Sequence, residues 1–457
     1  MGSIAFTLIV VALLWCAATD PRRFVLATLV LAGLPMEVLT SGERFLSGSL
    51  EVDAQAIYMF VVLAGCALIV AMRPARAFAL LGRSLAVVIF LALVLASFGW
   101  TESVVYGLRM FVKLVTPFMF MWTMALAAGE GLRARDVAAA VFGAAGLLVA
   151  LALANLLSRG ALAPLSAVPG IGGLPQLAAP YTSPSNFSFA IAVAILVALG
   201  QWSVRRRLGS LAMAAALTTA VVLALCRAAL AGLLTGYFIF SIVGREHAVR
   251  RLLLACAAVV VAAAVLFSLP EFRHRMFFDA DEVSWSSMLH DPRSVLEHLD
   301  TSGRDQLWRE AAESFQGRSV WLGSGVGAVD RWIRDRDVRG SELHSDLYRL
   351  YLDLGVTGLA LFVMALLSCV RAALAALRTA PRDAGGFPAA RVAIGALACY
   401  ATTLPTDNSL NYVANFAVLV FGLAGFAIGA RPDAALTEPL EPGAAADAPR
   451  RFANVLD

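Results

Sequence analysis

Apolar residues run through this chain in long blocks broken by short polar gaps. Thirteen apolar stretches lie near 3–19, 23–40, 55–72, 84–100, 104–128, 136–158, 186–203, 209–226, 228–244, 252–269, 347–373, 389–405 and 411–430. Stretches of about 18 apolar residues or more predict helices that cross a bilayer. The first two are short and separated only by Asp20-Pro21-Arg22-Arg23. One gap alone is long, 270–345, and after it the chain returns to apolar sequence. Within it Leu307, Trp308, Ala311, Ala312 and Phe315 recur at helical spacing. The gap therefore predicts two or three short helices, partly lying on the membrane surface. No repeat supports a transporter built from two matched halves.

Composition agrees with this pattern. Of 457 residues 60% are hydrophobic and 15% charged, with a mean hydropathy of +0.78, whereas soluble domains carry about a quarter charged residues. The fold class is all-α, a polytopic integral membrane helical bundle. Residues 1–269 form membrane helices with short loops, 270–345 the long loop, 346–430 the C-terminal membrane helices, and 431–457 a tail whose Ala, Pro, Asp and Glu predict disorder. No Lys or Arg precedes the run 3–19, and Trp15 before Cys16 is unsuited to lipoprotein cleavage, so this segment is read as retained. All six cysteines (Cys16, Cys66, Cys226, Cys256, Cys369, Cys399) fall in apolar segments without ligand spacing. They are expected to be small core residues, with neither a structural disulfide nor bound zinc.

The net charge of +4 says little, but the placement of charge is informative. Basic clusters stand at Arg73, Arg76 and Arg83, at Arg133 and Arg135, at Arg205-Arg206-Arg207, at Arg245, Arg250 and Arg251, and at Arg371, Arg378 and Arg382. Counted along the segments they share one side, the cytoplasmic one by the positive-inside rule. The other side receives 41–54, 101–103, 159–185, the turn near Arg227, the loop 270–345 and 406–410. These short basic loops exclude a nucleic-acid partner, and no phosphate-binding loop, dinucleotide fingerprint or hydrolase elbow is present.

His344 stands where the long loop meets the next helix. Ser345 can cap that helix by accepting from a free first-turn amide, and the positive helix end disfavours an imidazolium. A neutral imidazole could act as a general base; the alternative is a polar interfacial residue. Arg227 interrupts apolar sequence, and a charge at membrane depth usually faces a functional cavity, unless it marks a turn and reaches to water. Arg304 lies at the helical part of the loop, in a site or in a surface salt bridge. Arg109 and Lys113, four apart on one helix face, need an anion, either a ligand such as pyrophosphate or a buried carboxylate. Asp279-Ala280-Asp281-Glu282 has the D-x-D spacing that can hold a divalent cation. It also fits an exposed acidic stretch, and we expect no metal there. His247, His274, His290 and His298 show no paired ligand spacing.

His344, Ser345, Gly355 and Gly358 follow the pattern His-[Ser/Asn/Gln], nine residues, Gly, two residues, [Gly/Thr/Tyr]. This resembles the signature of bacterial O-antigen ligases and of their relatives, the O-antigen polymerases and protein O-oligosaccharyltransferases. Arg227 and Arg304 resemble the family's arginines at an earlier periplasmic turn and early in the long loop, and Trp321-Leu322-Gly323-Ser324-Gly325-Val326-Gly327 its Gly-rich run. The resemblance covers about 180–430. It implies a GT-C-like bundle of about 12 transmembrane helices in the bacterial inner membrane, one fewer than the thirteen stretches, with one long periplasmic loop containing short helices. It further implies transfer of O-antigen polysaccharide from undecaprenyl pyrophosphate to lipid A–core, metal-independent and inverting, without a cofactor. His344 would be the general base, with Arg227 and Arg304 on the leaving pyrophosphate. Arg109, Lys113, Ser345, Tyr348 and Tyr351 are candidate substrate-binding residues. A polymerase, a protein O-oligosaccharyltransferase and a non-enzymatic flippase of lipid-linked sugars are the alternatives.

Overall fold

The computed structural model describes residues 2–40, 45–47, 50–165, 175–243, 248–277, 290–291, 298, 303–336, 342–379 and 388–430. The Asp279–Glu282 stretch, Arg245, His247, Arg382 and the tail from 431 lie outside the described residues.

Each of the thirteen apolar stretches is helical. The helices are α1 (Gly2–Thr19), α2 (Pro21–Leu31), α3 (Met36–Thr40), α4 (Ala54–Ala71), α5 (Pro74–Arg83), α6 (Leu85–Ala96), α7 (Val104–Gly129), α8 (Ala134–Leu157), α9 (Pro184–Arg205), α10 (Leu208–Ala224), α11 (Arg227–Ile242) and α12 (Ala248–Ser268). The long loop contributes α13 (Pro270–Met276), α14 (Arg304–Ser314) and α15 (Ala328–Asp335), and α16 (Asp346–Thr379), α17 (Ala389–Thr403) and α18 (Val418–Gly429) follow. A small antiparallel hairpin, β1 (Phe45–Ser47) with β2 (Leu50–Val52), pairs Leu46 with Glu51.

Among the described residues five helices are long and apolar enough to cross a membrane, or seven if the bent pairs 74–99 and 252–276 each count as one span. Five shorter apolar helices join them. Apolar side chains cover the outer surface: Ile4, Leu8, Val11 and Trp15 form an exposed stripe on α1, and Val249, Leu253, Val260 and Val261 are exposed on α12. In water such a surface would be unstable; hydrocarbon satisfies it. The chain is a multi-pass membrane protein.

The stretch 23–40 is not one helix. Pro35 lacks the amide that would continue the ladder, and α2 ends at Leu31. Gly33 crosses α8 so closely that a Cβ would lie 2.2 Å from the Ala144 carbonyl oxygen. The basic stretch 74–83, read as a loop, is helical because Pro74 opens a helix at N1.

Helices meet at small residues, as they must where dispersion and close approach replace a hydrophobic drive. α18, buried on all sides, runs along α7: Cβ atoms at Gly425 and Gly429 would strike the carbonyl oxygens of Met121 and Ala125 at 2.1 and 2.0 Å. α7 has 26 residues and is therefore about 39 Å long. Past its far end Glu130 pairs with Arg73 and Arg76, joining two of the basic loops. Past its near end Thr101 donates to the Val326 carbonyl at 2.8 Å and Glu102 pairs with Arg318 and Arg331. At that end the Arg304 guanidinium reaches the Thr406 carbonyl, and Arg227 reaches the Arg275 carbonyl at 2.7 Å. All six thiols are free; Cys66, Cys226, Cys369 and Cys399 are buried, while Cys256 faces outward on α12.

Candidate active site

The site is built on the start of α16. Ser345 precedes the helix, and its hydroxyl accepts from the Tyr348 amide at 3.3 Å, the cap expected from sequence. Asp346 in the first turn accepts from the Leu410 amide at 2.8 Å, and its own amide donates to the Leu404 carbonyl at 2.8 Å. These bonds tie the helix start to the loop between α17 and α18. His344, just before the cap, has φ +51°, the left-handed region that costs a non-glycine residue roughly 1–2 kcal/mol. The turn bends the chain so that the imidazole meets the same loop.

There the Asn408 amide nitrogen lies 3.1 Å from His344 Nδ1 and also donates to Glu342. Asn408 is itself held by its amide on Asp407 at 2.8 Å, and Asp407 accepts from the Tyr412 hydroxyl at 3.2 Å. With the amide nitrogen facing it, Nδ1 accepts, and the neutral ring carries its hydrogen on Nε2. The Asn408 carbonyl oxygen is buried without a partner among the described residues. A half-turn of the amide, with the Glu342 carboxylate moved off it, would present that oxygen to Nδ1, move the ring hydrogen there and free Nε2.

The imidazole is held neutral. Burial lowers its pKa below the usual 6.5, and the Arg304 and Arg349 guanidinium groups lower it further against the opposing pull of Asp407 and Glu342. Arg304 and His344 thus act on one another electrostatically. Arg227 occupies the first position of α11. A guanidinium there adds to the free amides and positive dipole end, making a corner suited to an anion.

Beneath this lies a buried network that sequence reasoning missed. Arg349, 1% exposed, donates to Asn411 Oδ1 at 3.1 Å and pairs with Asp330 at 3.5 Å. Lys113 donates to the same Asn411 oxygen at 2.7 Å and lies 3.7 Å from Asp330. Burial raises the Asp330 pKa, but Arg349, Lys113 and Arg109 together outweigh it and hold the carboxyl ionised. Of the two anions considered for the α7 cations, Lys113 therefore has a protein carboxylate. It comes from the loop helix α15, which hydropathy of the apolar segments does not reveal. Arg109 also lies over the Tyr106 ring at 5.7 Å. Arg349 and Asp353 had a legible signal: they interrupt an apolar stretch by the same rule that singled out Lys113. Asp407, Asn408 and Asn411 sit in a short polar loop with no such signal.

The other motif residues are architectural. α16 breaks at Gly355 (φ +67°, ψ −172°), and the 320–325 strand of the Gly-rich run crosses the break. Val356 donates to the Val320 carbonyl at 2.9 Å, and Ser324 to the Leu352 carbonyl at 3.0 Å. Cβ atoms at Gly323 and Gly355 would lie 2.5 Å from Asp353 and 2.3 Å from Trp321 backbone atoms. The Asp353 carboxylate then accepts from the Gly327 and Val329 amides at 3.1 and 2.9 Å, capping α15. Tyr348 and Tyr351 stack at 6.2 Å and pack with Trp308 and Leu343 in the small core under α14 and α15. Trp308 donates to the Leu343 carbonyl at 2.6 Å, fixing the residue before His344.

Residues 212–363 match the family model described as O-antigen ligase. The match begins within α10, ends within α16, and holds Arg227, Arg304, His344, Ser345, Gly355 and Gly358. Over this segment, about a third of the chain, the protein is similar to the O-antigen ligase superfamily, a glycosyltransferase-like family. No curated protein matches the chain.

Proposed function

We propose that the protein transfers O-antigen polysaccharide from undecaprenyl pyrophosphate to lipid A–core at the periplasmic face of the bacterial inner membrane. The observation that carries this reading is the convergence of His344 and Arg304, both inside the family-matched segment, on the loop 406–408 beyond it. The acceptor hydroxyl attacks the anomeric carbon, the bond to pyrophosphate breaks, and the hydroxyl proton passes to His344 Nε2. The half-turned Asn408 amide is the arrangement in which Nε2 can take it. Arg304 and Arg227 stabilise the charge that gathers on the leaving pyrophosphate, the role a preorganised cation plays best. A single displacement inverts the anomeric centre. Ser345 and the two tyrosines hold the helix start, and Lys113 and Arg109 stabilise the Asp330–Arg349 network beneath it. The shorter apolar helices complete a bundle of about 12 spans.

The test is transfer in vitro. Purified protein is mixed with lipid-linked O-antigen and lipid A–core, with EDTA and without nucleotide, alongside His344→Ala. Wild type should ligate, and the variant should lose about 10²–10⁴ in rate while still inserting. Chain growth on donor alone would make the protein a polymerase, and movement of the lipid-linked sugar without joining would make it a flippase. Full activity of His344→Ala would sink the assignment.

A further inference from the structure

A cavity of about 410 Å³ opens between α14, the Gly-rich run and α15, a volume within the roughly 300–1,000 Å³ that small-molecule sites use. It shares no lining residue with the His344 site. Its wall carries the carboxylate residues Glu102 and Asp335 and the serines Ser314 and Ser324.

The rest of the wall says which ligand fits. Its arginines are already engaged: Arg318 and Arg331 with Glu102, Arg331 also with Asp335, and Arg336 with Glu310. A phosphate would have to displace those carboxylates. A sugar would not, because its hydroxyls both donate and accept, and fixed arginine–carboxylate pairs offer both functions side by side. Phe315 and Trp332, edge to face at 6.1 Å, add an apolar surface for a ring's C–H face, and Arg336 lies over Trp332 at 4.5 Å and stiffens it. The cavity abuts the run that crosses α16 at Gly355, so it stands on the same rigid piece as His344.

We propose that this cavity is a saccharide subsite, binding a hydroxyl-rich sugar of one of the two glycan substrates through the arginine–carboxylate pairs and the Phe315–Trp332 rings. It rests on the transferase reading only for the choice of probes.

The test uses full-length protein in lipid nanodiscs and two soluble probes: core oligosaccharide freed of lipid A, and O-antigen repeat oligosaccharide freed of its lipid pyrophosphate. Binding is followed by saturation-transfer NMR and calorimetry. Wild type should bind one probe, which identifies acceptor or donor as the source. Glu102→Gln combined with Asp335→Asn keeps the shapes and unpairs Arg318 and Arg331; affinity should fall about tenfold or more. Ala328→Leu, which fills the cavity, should abolish binding. His344→Ala should bind as wild type does, which separates this site from the transfer chemistry. Failure of monodisperse wild type to bind either probe, or equal binding by wild type and both variants, overturns the proposal and leaves a water-filled cavity. Inorganic pyrophosphate binding that responds to these variants, with no saccharide binding, overturns it in favour of an anion site. Saccharide binding without any transfer would sink the transferase reading alone.

Discussion

His344 is placed by a strained turn, turned by one amide and kept neutral by burial and a neighbouring cation, and each of these leaves a measurable trace. A base works in its neutral form, so activity should hold above its pKa and fall as pH drops through it. Because that pKa is lowered, the acid limb of the transfer profile should lie below pH 6.5. Arg304→Gln removes one depressing charge, so the limb should move to higher pH whatever the loss in rate. An unmoved limb would mean that the two side chains do not share a site. Asn408→Ala frees the ring to turn, and misplacement on this scale costs up to about 100-fold. The loss should fall on kcat with the donor KM unchanged; a variant that transfers normally would remove Asn408 from the machinery.

At the scale of one element, α16 carries both halves of the signature for different reasons. Its first turn holds the charges that shape the site, and its break at Gly355 receives the Gly-rich run. Gly355→Ala would place a side chain in a conformation that only glycine adopts freely, at a cost of roughly 1–3 kcal/mol, and against Trp321 backbone besides. Its melting temperature in detergent should fall clearly below wild type, whereas Val356→Ala, on an exposed neighbour, should change little. Equal stability would show that the crossing is not needed. The helix, its cap and its boundary residue were legible from apolar spacing and from Ser345. The break was not, because a glycine inside an apolar run reads the same whether the helix continues or turns. Nor were the partners of Lys113: Asp330 lies 217 positions away in sequence, and only the packing of α15 on α7 brings them together. The Asp330–Arg349 pair tests that packing. Asp330→Asn leaves the buried Arg349 and the half-buried Lys113 short of their anion; loss of a buried partner costs about 3–5 kcal/mol, so the variant should insert poorly or melt early. If it stays stable and only the donor KM rises, Lys113 belongs to the ligand after all.

For the whole molecule, the basic loops and the site stand at opposite ends. α7 spans the distance between them, with the Glu130–Arg73–Arg76 cluster at one end and the Thr101–Val326 contact at the other. On the proposed function, the positive-inside rule would put His344, the cavity and the α14–α15 loop outside the cytoplasm. That is where a polysaccharide too polar to re-enter the bilayer would have to be joined to its acceptor. Arg309 on α14 and Arg135 at the start of α8 have well-exposed side chains, 74% and 64%, so each can carry a reporter thiol. In spheroplasts, a membrane-impermeant maleimide should label Arg309→Cys without lysis, and Arg135→Cys only after the membrane is opened. Wild type sets the background, since most native thiols are buried. The reverse pattern would turn the whole bundle over, place His344 in the cytoplasm and rule out a periplasmic transfer, whatever the residues at the site could do chemically.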